Sequence, residues 1–270
     1  MKWGIVCNFH SKKAISLSSE IYDFLIDKGE VFAEEIIAKG KKTKGCSHEE
    51  INKNSDIVIT VGGDGTILRA LEHIEKPIFA INSGGMGFLT EVESKYAIGG
   101  LKQVVSGDYN VEERAKLKVT IDGKRIPDAA NEVTVQTPRI AKILYLQIFV
   151  EKELIENFGA DGLIVATPTG STSYALSAGG PILDPTVDAM VIAPLAPFKL
   201  SARPWVIPLD KKVEIKLYHK SKEAKLVIDG ESPQNITHDS EIVITGSEKK
   251  ARFIRFGESF YQMVRAKLVR

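Results

Sequence analysis

The chain has only two cysteines in 270 residues, Cys7 and Cys46. That excludes a disulfide framework and a cysteine-rich metal site. Long apolar runs are missing too. The opening Met1-Lys2-Trp3-Gly4-Ile5-Val6-Cys7 is too short for a signal peptide, and no stretch approaches membrane-spanning length. Charge of one sign is not in excess: 36 Lys and Arg face 35 Asp and Glu, a net charge of +1. This balance argues against nucleic acid as the main partner and leaves room only for a local basic patch around a phosphate. There are no repeats or low-complexity tracts. No Gly-x-x-x-x-Gly-Lys-Ser/Thr sequence occurs, which excludes a P-loop kinase. What remains is an ordinary globular composition, 43% hydrophobic and 26% charged, enough for one large domain or two smaller ones. The expectation is a soluble, cytoplasmic protein that binds neither nucleic acid nor membrane.

The most informative residues are Val61-Gly62-Gly63-Asp64-Gly65-Thr66, placed directly after the apolar run Ile57-Val58-Ile59-Thr60. A β-branched run that ends in glycines reads as a buried strand entering a tight turn. Glycines admit close backbone approach, and consecutive N–H groups can point at an anion. The residues from Thr66 onward have helix-forming composition, so the turn opens on a helix N-terminus that favours phosphate. Asp64 is a carboxylate inside this cradle, which suggests phosphoryl transfer with a metal ion or a proton as its partner. The competing structural reading is an Asp that caps the helix.

The first third alternates strand and helix. Gly4 to Cys7 reads as a strand, and Leu17, Ile21, Phe24 and Leu25 recur at helical spacing before Gly29. A helix over Thr66 to Ile74 and a strand over Pro77 to Ile81 follow the glycine turn. Asn82-Ser83-Gly84-Gly85-Met86-Gly87-Phe88 is then a second glycine-rich loop at a strand end. Loops at the carboxyl ends of strands in an open α/β sheet line the ligand crevice, so both loops are expected at one site.

After Gly107-Asp108 the pattern becomes successive strands. Lys116 to Ile121 alternates and ends in the hairpin signal Asp122-Gly123. Strands are also predicted over 132–136, 143–150, 213–217, 224–228 and 241–244. One helix, about Ser171 to Ala178, interrupts them. We expect an α/β domain with a parallel sheet over 1–108 and a β-rich, sandwich-like domain over 109–251. A terminal helix over Ser259 to Leu268, within a segment of about 252–270, is expected to return to the first.

Asp161-Gly162-Leu163-Ile164-Val165-Ala166-Thr167-Pro168-Thr169-Gly170-Ser171-Thr172-Ser173-Tyr174 repeats the logic of the first motif. Thr169, Ser171 and Thr172 supply hydroxyls and a helix cap, and Tyr174 offers a ring, a combination suited to a nucleoside. The competing reading is a capped helix after a buried strand. Asn131-Glu132 can hold a vicinal diol, since Glu accepts two hydroxyl protons and Asn both donates and accepts; by spacing alone it also reads as a solvated loop.

With these motifs in their order, and with Ser177-Ala178-Gly179-Gly180-Pro181 closing the second, the chain resembles the NAD kinase family over roughly residues 56 to 210. The Gly-Gly-Asp-Gly piece is shared with phosphofructokinases and diacylglycerol-type lipid kinases; the long segment from Asp161 to Pro181 is the specific part. The resemblance implies transfer of phosphate from ATP, or polyphosphate, to the adenosine 2′-hydroxyl of NAD⁺, with Mg²⁺ or another divalent cation arriving with the donor. It implies that Asp64 acts on that hydroxyl, with Gly65 beside it, and that Arg69 reaches phosphate or ligand. Asn131 and Glu132 would hold ribose hydroxyls, and Asp161 the nicotinamide half. Thr169 and the run Thr172, Ser173, Tyr174, Ala175, Leu176 and Ser177 would line the adenine and ribose region. Phe88 would pack on a base, and Ala196 would add a backbone contact. Ser173 stands where relatives often have Ala. A homodimer or homotetramer through the β-rich domain is implied as well. Other readings are a kinase for a sugar-phosphate or lipid hydroxyl, or a non-catalytic dinucleotide-binding regulator.

Overall fold

The computed structural model describes residues 1–84, 87–139, 142–218, 223–257 and 259–268, and at Ser232 the backbone alone. Gly85 and Met86 of the second glycine-rich loop lie outside the described residues. The chain divides into two compact units, residues 1–113 with 251–270 and residues 114–250.

The first unit starts as the sequence reads, with βα alternation. Its elements are β1 (Lys2–Cys7), α1 (Lys12–Ile26), β2 (Glu30–Ala33), α2 (Glu35–Lys41), α3 (His48–Asn54), β3 (Ile57–Gly62), α4 (Asp64–Leu71), β4 (Ile78–Asn82), β5 (Val92–Glu93) and α5 (Ala97–Ser106). The strands pair in the order β2-β1-β3-β4-β5, all parallel. β3 and β4 are buried along their whole length, which is why they read as unbroken apolar runs rather than alternations. Ile5, Ile59, Val61, Phe79 and Ile81 pack with Ile21, Leu25, Leu101 and Val104. Local signals fix the helix ends: a Ser47–Glu50 capping box opens α3, and Gly107 at φ 78° closes α5. The helix expected over Thr66 to Ile74 starts earlier and ends sooner, which puts Asp64 in its first turn.

The second unit is antiparallel. It contains most of β6 (Asn110–Ile121), then β7 (Lys124–Ala129), β8 (Glu132–Gln136), β9 (Leu144–Val150), β10 (Glu153–Ala160), β11 (Gly162–Ala166), α6 (Tyr174–Ser177) and β12 (Ala189–Leu195). β13 (Trp205–Pro208), β14 (Val213–Leu217), β15 (Glu223–Ile228), β16 (Glu231–Thr237) and the start of β17 (Ile242–Arg255) complete it. One sheet runs β10-β9-β14-β17 and the other β13-β12-β11-β8-β15-β16. Leu146, Ile148, Val213 and Ile244 of the first share one core with Val133, Val135, Leu163, Val165 and Met190 of the second, a sandwich arrangement. The opposite face of β11, Ile164 and Ala166, packs on Ala175, Val191 and Ala193. Asp122 and Gly123 turn the β6–β7 hairpin at φ 51° and 74°, the left-handed pair a tight hairpin needs.

The helix predicted over Ser171 to Ala178 is corrected. A 3₁₀ turn, Gly170–Thr172, stops at Ser173 (φ −104°, ψ −128°), and a single α turn follows. The hydroxyls bind local backbone instead of leaving it free to continue: Ser171 Oγ donates to Pro168 O at 2.6 Å and Thr172 Oγ1 to Thr169 O at 3.1 Å.

The chain then returns to the first unit. Phe253, near the end of β17, pairs in parallel with Ile78 of β4, and the terminal helix α7 (Phe260–Leu268) follows. Among the described residues, no helix is long and apolar enough to cross a membrane.

Candidate active site

In the first unit the glycine turn follows β3 as expected, but its glycines differ in purpose. A Cβ on Gly62 would lie 2.2 Å from Thr66 Oγ1, so the fold itself needs glycine there. Among the described residues a Cβ on Gly63 or Gly65 would meet nothing within 4 Å, and neither has a positive φ. Nothing in the fold demands glycine at these two positions. Their open faces fit a ligand that approaches the backbone of a helix start closely.

Asp64 does not cap its helix. Gly63 is the cap residue, and no side-chain cap bond is present. The Asp64 carboxylate reaches instead to the second glycine-rich loop, where Oδ2 accepts the Phe88 N–H at 2.7 Å and Oδ1 the Leu89 N–H at 3.0 Å. Gly87 packs so tightly on it that a Cβ there would lie 2.1 Å from Oδ1. The loops after β3 and β4 are thus joined through this one carboxylate. Among the described residues each oxygen accepts a single amide, which leaves each a lone pair for a hydroxyl proton or a cation.

Arg69 sits one turn further along α4. Its Nη1 donates to Glu34 Oε1 at 2.6 Å, its Nη2 to the Cys7 carbonyl at 2.8 Å, and its guanidinium lies 5.0 Å from the Phe9 ring centroid. Burial pushes the Glu34 carboxyl up, but hydrogen bonds from His48, Arg69 and the Cys7 N–H outweigh it and hold it below the usual range. Glu34 and His48 were not among the residues singled out from the sequence, because only the parallel sheet brings them to Arg69. Phe88 is half-buried, with Lys267 Nζ of α7 4.7 Å from its ring centroid. A cavity of about 310 Å³ opens beside Gly87, lined by Asn82, Thr90, Glu91, Met263 and Lys267 among others.

In the second unit, the β8–β11 register sets Glu132 opposite Ala166, so the turn that follows β11 lies against Asn131-Glu132. This pair is not a solvated loop: Asn131 is 7% exposed and Glu132 8%. Gly170 is required here, since a Cβ would meet the Asn131 carbonyl oxygen at 2.1 Å. Thr167 Oγ1 donates to Ala130 O at 2.7 Å and accepts the Gly170 N–H at 3.0 Å. The capping hydroxyl of this turn is therefore Thr167, rather than Thr169, Ser171 or Thr172.

Three buried oxygens in this cluster have no partner among the described residues: Asn131 Oδ1, Glu132 Oε2 and Thr169 Oγ1. A buried polar atom left unpaired costs about 1–3 kcal/mol, and a ligand that brings hydroxyl or amide hydrogens removes that cost. The other Glu132 oxygen accepts from Ser173 Oγ at 3.3 Å. Burial, reinforced by the negative charge of Asp229, pushes the Glu132 carboxyl up to about 7. The Tyr174 ring is 41% exposed, while Ala175 is buried; Thr172 and Leu176 are half-buried and Ser177 exposed.

Asp229 is the residue that sequence reasoning missed. At φ 48°, on the β15–β16 turn, its carboxylate accepts the N–H groups of Ala130, Asn131 and Glu132 at 2.7, 2.8 and 2.9 Å. It holds the Asn131-Glu132 backbone in place. The only signal in the sequence was its Asp229-Gly230 turn pair.

Asp161 and Ala196 are not brought to that cluster. They flank the start of β11, where Gly162 pairs with Leu195 and the Asp161 N–H donates to the Leu195 carbonyl at 3.0 Å. The length of β11 separates them from Thr167 by about 20 Å. Ala196 adopts φ 44°, a conformation that costs an L-residue about 1–2 kcal/mol. Among the described residues, no group of three or more His, Cys, Asp or Glu is placed to hold a metal ion.

Sequence models of the ATP-NAD kinase N-terminal and C-terminal domains match residues 3–109 and 130–256. The NAD kinase of Methanothermobacter thermautotrophicus is 42% identical, with 100% of this chain and 96% of that protein covered. The NAD kinase of Thermococcus kodakarensis is 41% identical over 97% of this chain and 96% of its own length. Among solved structures, an NAD kinase from Archaeoglobus fulgidus in complex with ATP shares 30% identity at a TM-score of 0.81, covering 98% of this chain and 99% of that one. Yeast NADH kinase complexed with NADH has the same fold, with a TM-score of 0.92 at 24% identity, covering 100% of this chain and 87% of that one. Two matching domain models and full-length identity above 40% leave one assignment: the chain belongs to the NAD kinase family.

Proposed function

We propose that this protein transfers the terminal phosphate of ATP to the adenosine 2′-hydroxyl of NAD⁺, giving NADP⁺. The observation that carries the reading is Asp64, a carboxylate clamped by two amides beside glycines whose open faces fit phosphate oxygens. The 2′-oxygen attacks the terminal phosphorus, its proton passes to the Asp64 carboxylate, and the bond to the bridging oxygen breaks to release ADP. Carboxylates are weak bases for hydroxyl protons, so orienting the nucleophile contributes more than basicity. Mg²⁺ brought by the nucleotide would supply charge neutralisation at the transferring group. Asp64, the carboxylate of the turn, would meet a cation that arrives in this way.

In this reading residues 1–108 with 252–270 form the α/β domain that carries the glycine turn with Asp64, and residues 109–251 form the β-rich NAD⁺-binding domain. Asn131 and Glu132 hold ribose hydroxyls, and Thr169 to Ser177 line the adenosine. Gly65 adjoins Asp64 in the dinucleotide site, Arg69 serves phosphate, and Phe88 packs on a base. Asp161 and Ala196 contact the nicotinamide half. The enzyme works in the cytoplasm as a homodimer or homotetramer through the β-rich unit. That assembly is supported by exposed Trp205 and Val206 on edge strand β13 and by exposed Phe198 and Leu200 just before it.

Incubated with ATP and Mg²⁺, the purified protein is expected to convert NAD⁺ to NADP⁺, with the new monoester on the adenosine 2′-oxygen by phosphorus NMR. Phosphate on another hydroxyl, or no NADP⁺, would refute the assignment. Parallel arms with polyphosphate and NADH identify the preferred donor and acceptor.

Glu132 gives a prediction with two opposite signs. Its carboxyl is raised to about 7 from an ordinary value of 4.5. The ligand-free fold therefore gains from the bound proton; the gain is complete below about pH 4.5 and is lost as pH rises through about 7. Glu132→Gln removes that loss, so at pH 8 the ligand-free variant should melt higher than wild type, by on the order of 1–3 kcal/mol, with the difference closing near pH 5. NAD⁺ affinity moves the other way, since the ionised carboxylate accepts ribose hydroxyls. Wild-type affinity should rise between pH 6 and 8, while the variant binds at least about tenfold more weakly at pH 8. Calorimetric titration and melting curves at both pH values check the pair; an equal melting shift at pH 5 and 8 contradicts it.

A further inference from the structure

We propose that Arg255, the last residue of β17, is a positioning residue for Asp64, an inference that rests on the catalytic reading of Asp64. Arg255 is 8% exposed. Its Nε donates to Glu112 Oε2 at 2.8 Å, and its Nη1 donates to Glu91 Oε2 at 2.9 Å and to the Leu89 carbonyl at 3.2 Å. The N–H of the same Leu89 donates to Asp64 Oδ1 at 3.0 Å. Residue 89 is thus pinned at both backbone groups, by Asp64 at its nitrogen and by Arg255 at its carbonyl.

Glu91 closes the frame. Its second oxygen accepts the Phe256 N–H at 2.7 Å, and its own N–H donates to the Ala80 carbonyl at 2.8 Å. The segment that presents the Phe88 and Leu89 amides to Asp64 is therefore tied to β4 on one side and to β17 on the other. Two carboxylates hold a planar guanidinium in one orientation, so the Leu89 carbonyl meets a donor fixed in space. Arg255 acts on Asp64 through one intervening residue, Leu89. Its contribution is to aim the amides that aim the carboxylate, and reaction rates are sensitive to errors of about 1 Å in such placement.

The test is a two-background kinetic comparison of Arg255→Lys, which keeps the charge and loses the fork, alone and combined with Asp64→Asn. In the wild-type background kcat should fall about 10–100-fold, with the KM for NAD⁺ changed by less than about threefold. In the Asp64→Asn background the same substitution should change kcat by less than about twofold, because the group it aims is gone. If Arg255→Lys does not fold, Glu91→Gln, which weakens the hold on the guanidinium at nearly constant shape, takes its place in both backgrounds. Equal losses in the two backgrounds, or unchanged kcat in the wild-type background, overturn the proposal while leaving the role of Asp64 intact. Wild-type kcat in Asp64→Asn alone overturns the catalytic reading and this proposal with it, so the two failures are told apart.

Discussion

Asp64→Asn is expected to lower kcat by about 10²–10⁴-fold while NAD⁺ affinity stays within about tenfold, the range associated with loss of a general base. The substitution is nearly isosteric, but it is not silent in the fold. Both oxygens of Asp64 accept backbone N–H groups, from Phe88 and Leu89. An amide offers one oxygen and one NH₂, so one of these N–H groups loses its acceptor, at a cost of about 1–3 kcal/mol. A modest fall in Tm should therefore accompany the loss of rate. Stopped-flow turnover, equilibrium binding and melting on one preparation separate the effects. Near-wild-type kcat with a lowered Tm would make Asp64 a loop anchor only.

Gly87→Ala is expected to act on the same carboxylate without removing it. The added Cβ would stand 2.1 Å from Asp64 Oδ1 and 2.8 Å from its Cγ, and Gly87 has no positive φ to forbid alanine. The atom that must yield is the end of a side chain rather than backbone, so the fold survives and the carboxylate moves. A displacement of about 1 Å should lower kcat about 10²-fold, with donor and acceptor affinities little changed. Steady-state kinetics with both substrates, beside circular dichroism, checks this. A folded Gly87→Ala protein with wild-type kcat would show that the reaction tolerates a displaced Asp64.

The sequence predicted most reliably where one short segment decides its own fate. Ile57 to Val61 and Leu163 to Ala166 are buried on both faces, so they read as continuous apolar runs and form central strands. Asp122-Gly123 specified its hairpin by conformational preference alone. The helix after Thr169 read too long because its hydroxyls seemed to be caps, whereas they bond locally and break the helix at Ser173.

What was not legible depends on distant pairings. Nothing near Asn131 says that Asp229 will hold its backbone, and nothing near Asp64 says that Phe88 and Leu89 will be its partners. Nothing near Arg69 on its helix says that the sheet will deliver Glu34 and the Cys7 carbonyl to its guanidinium. Spacing along the chain carries the periodic part of a fold, and tertiary closure supplies the polar partners.

The return of the chain to its first unit has a consequence for how the enzyme is made. The ribosome releases β1 through β5 early, yet the strand that pairs with Ile78 carries Phe253, and Arg255 lies two residues beyond it. All of residues 114–250 must emerge in between, an interval of roughly 7–30 s at about 5–20 residues per second. During that interval the nascent glycine turn exists without the guanidinium that pins Leu89. A message truncated between codons 90 and 255 encodes the turn, the carboxylate and its two amide partners but not Arg255. Emergence of residue 255, rather than folding of the first hundred residues, is then the event that supplies the brace proposed for Asp64.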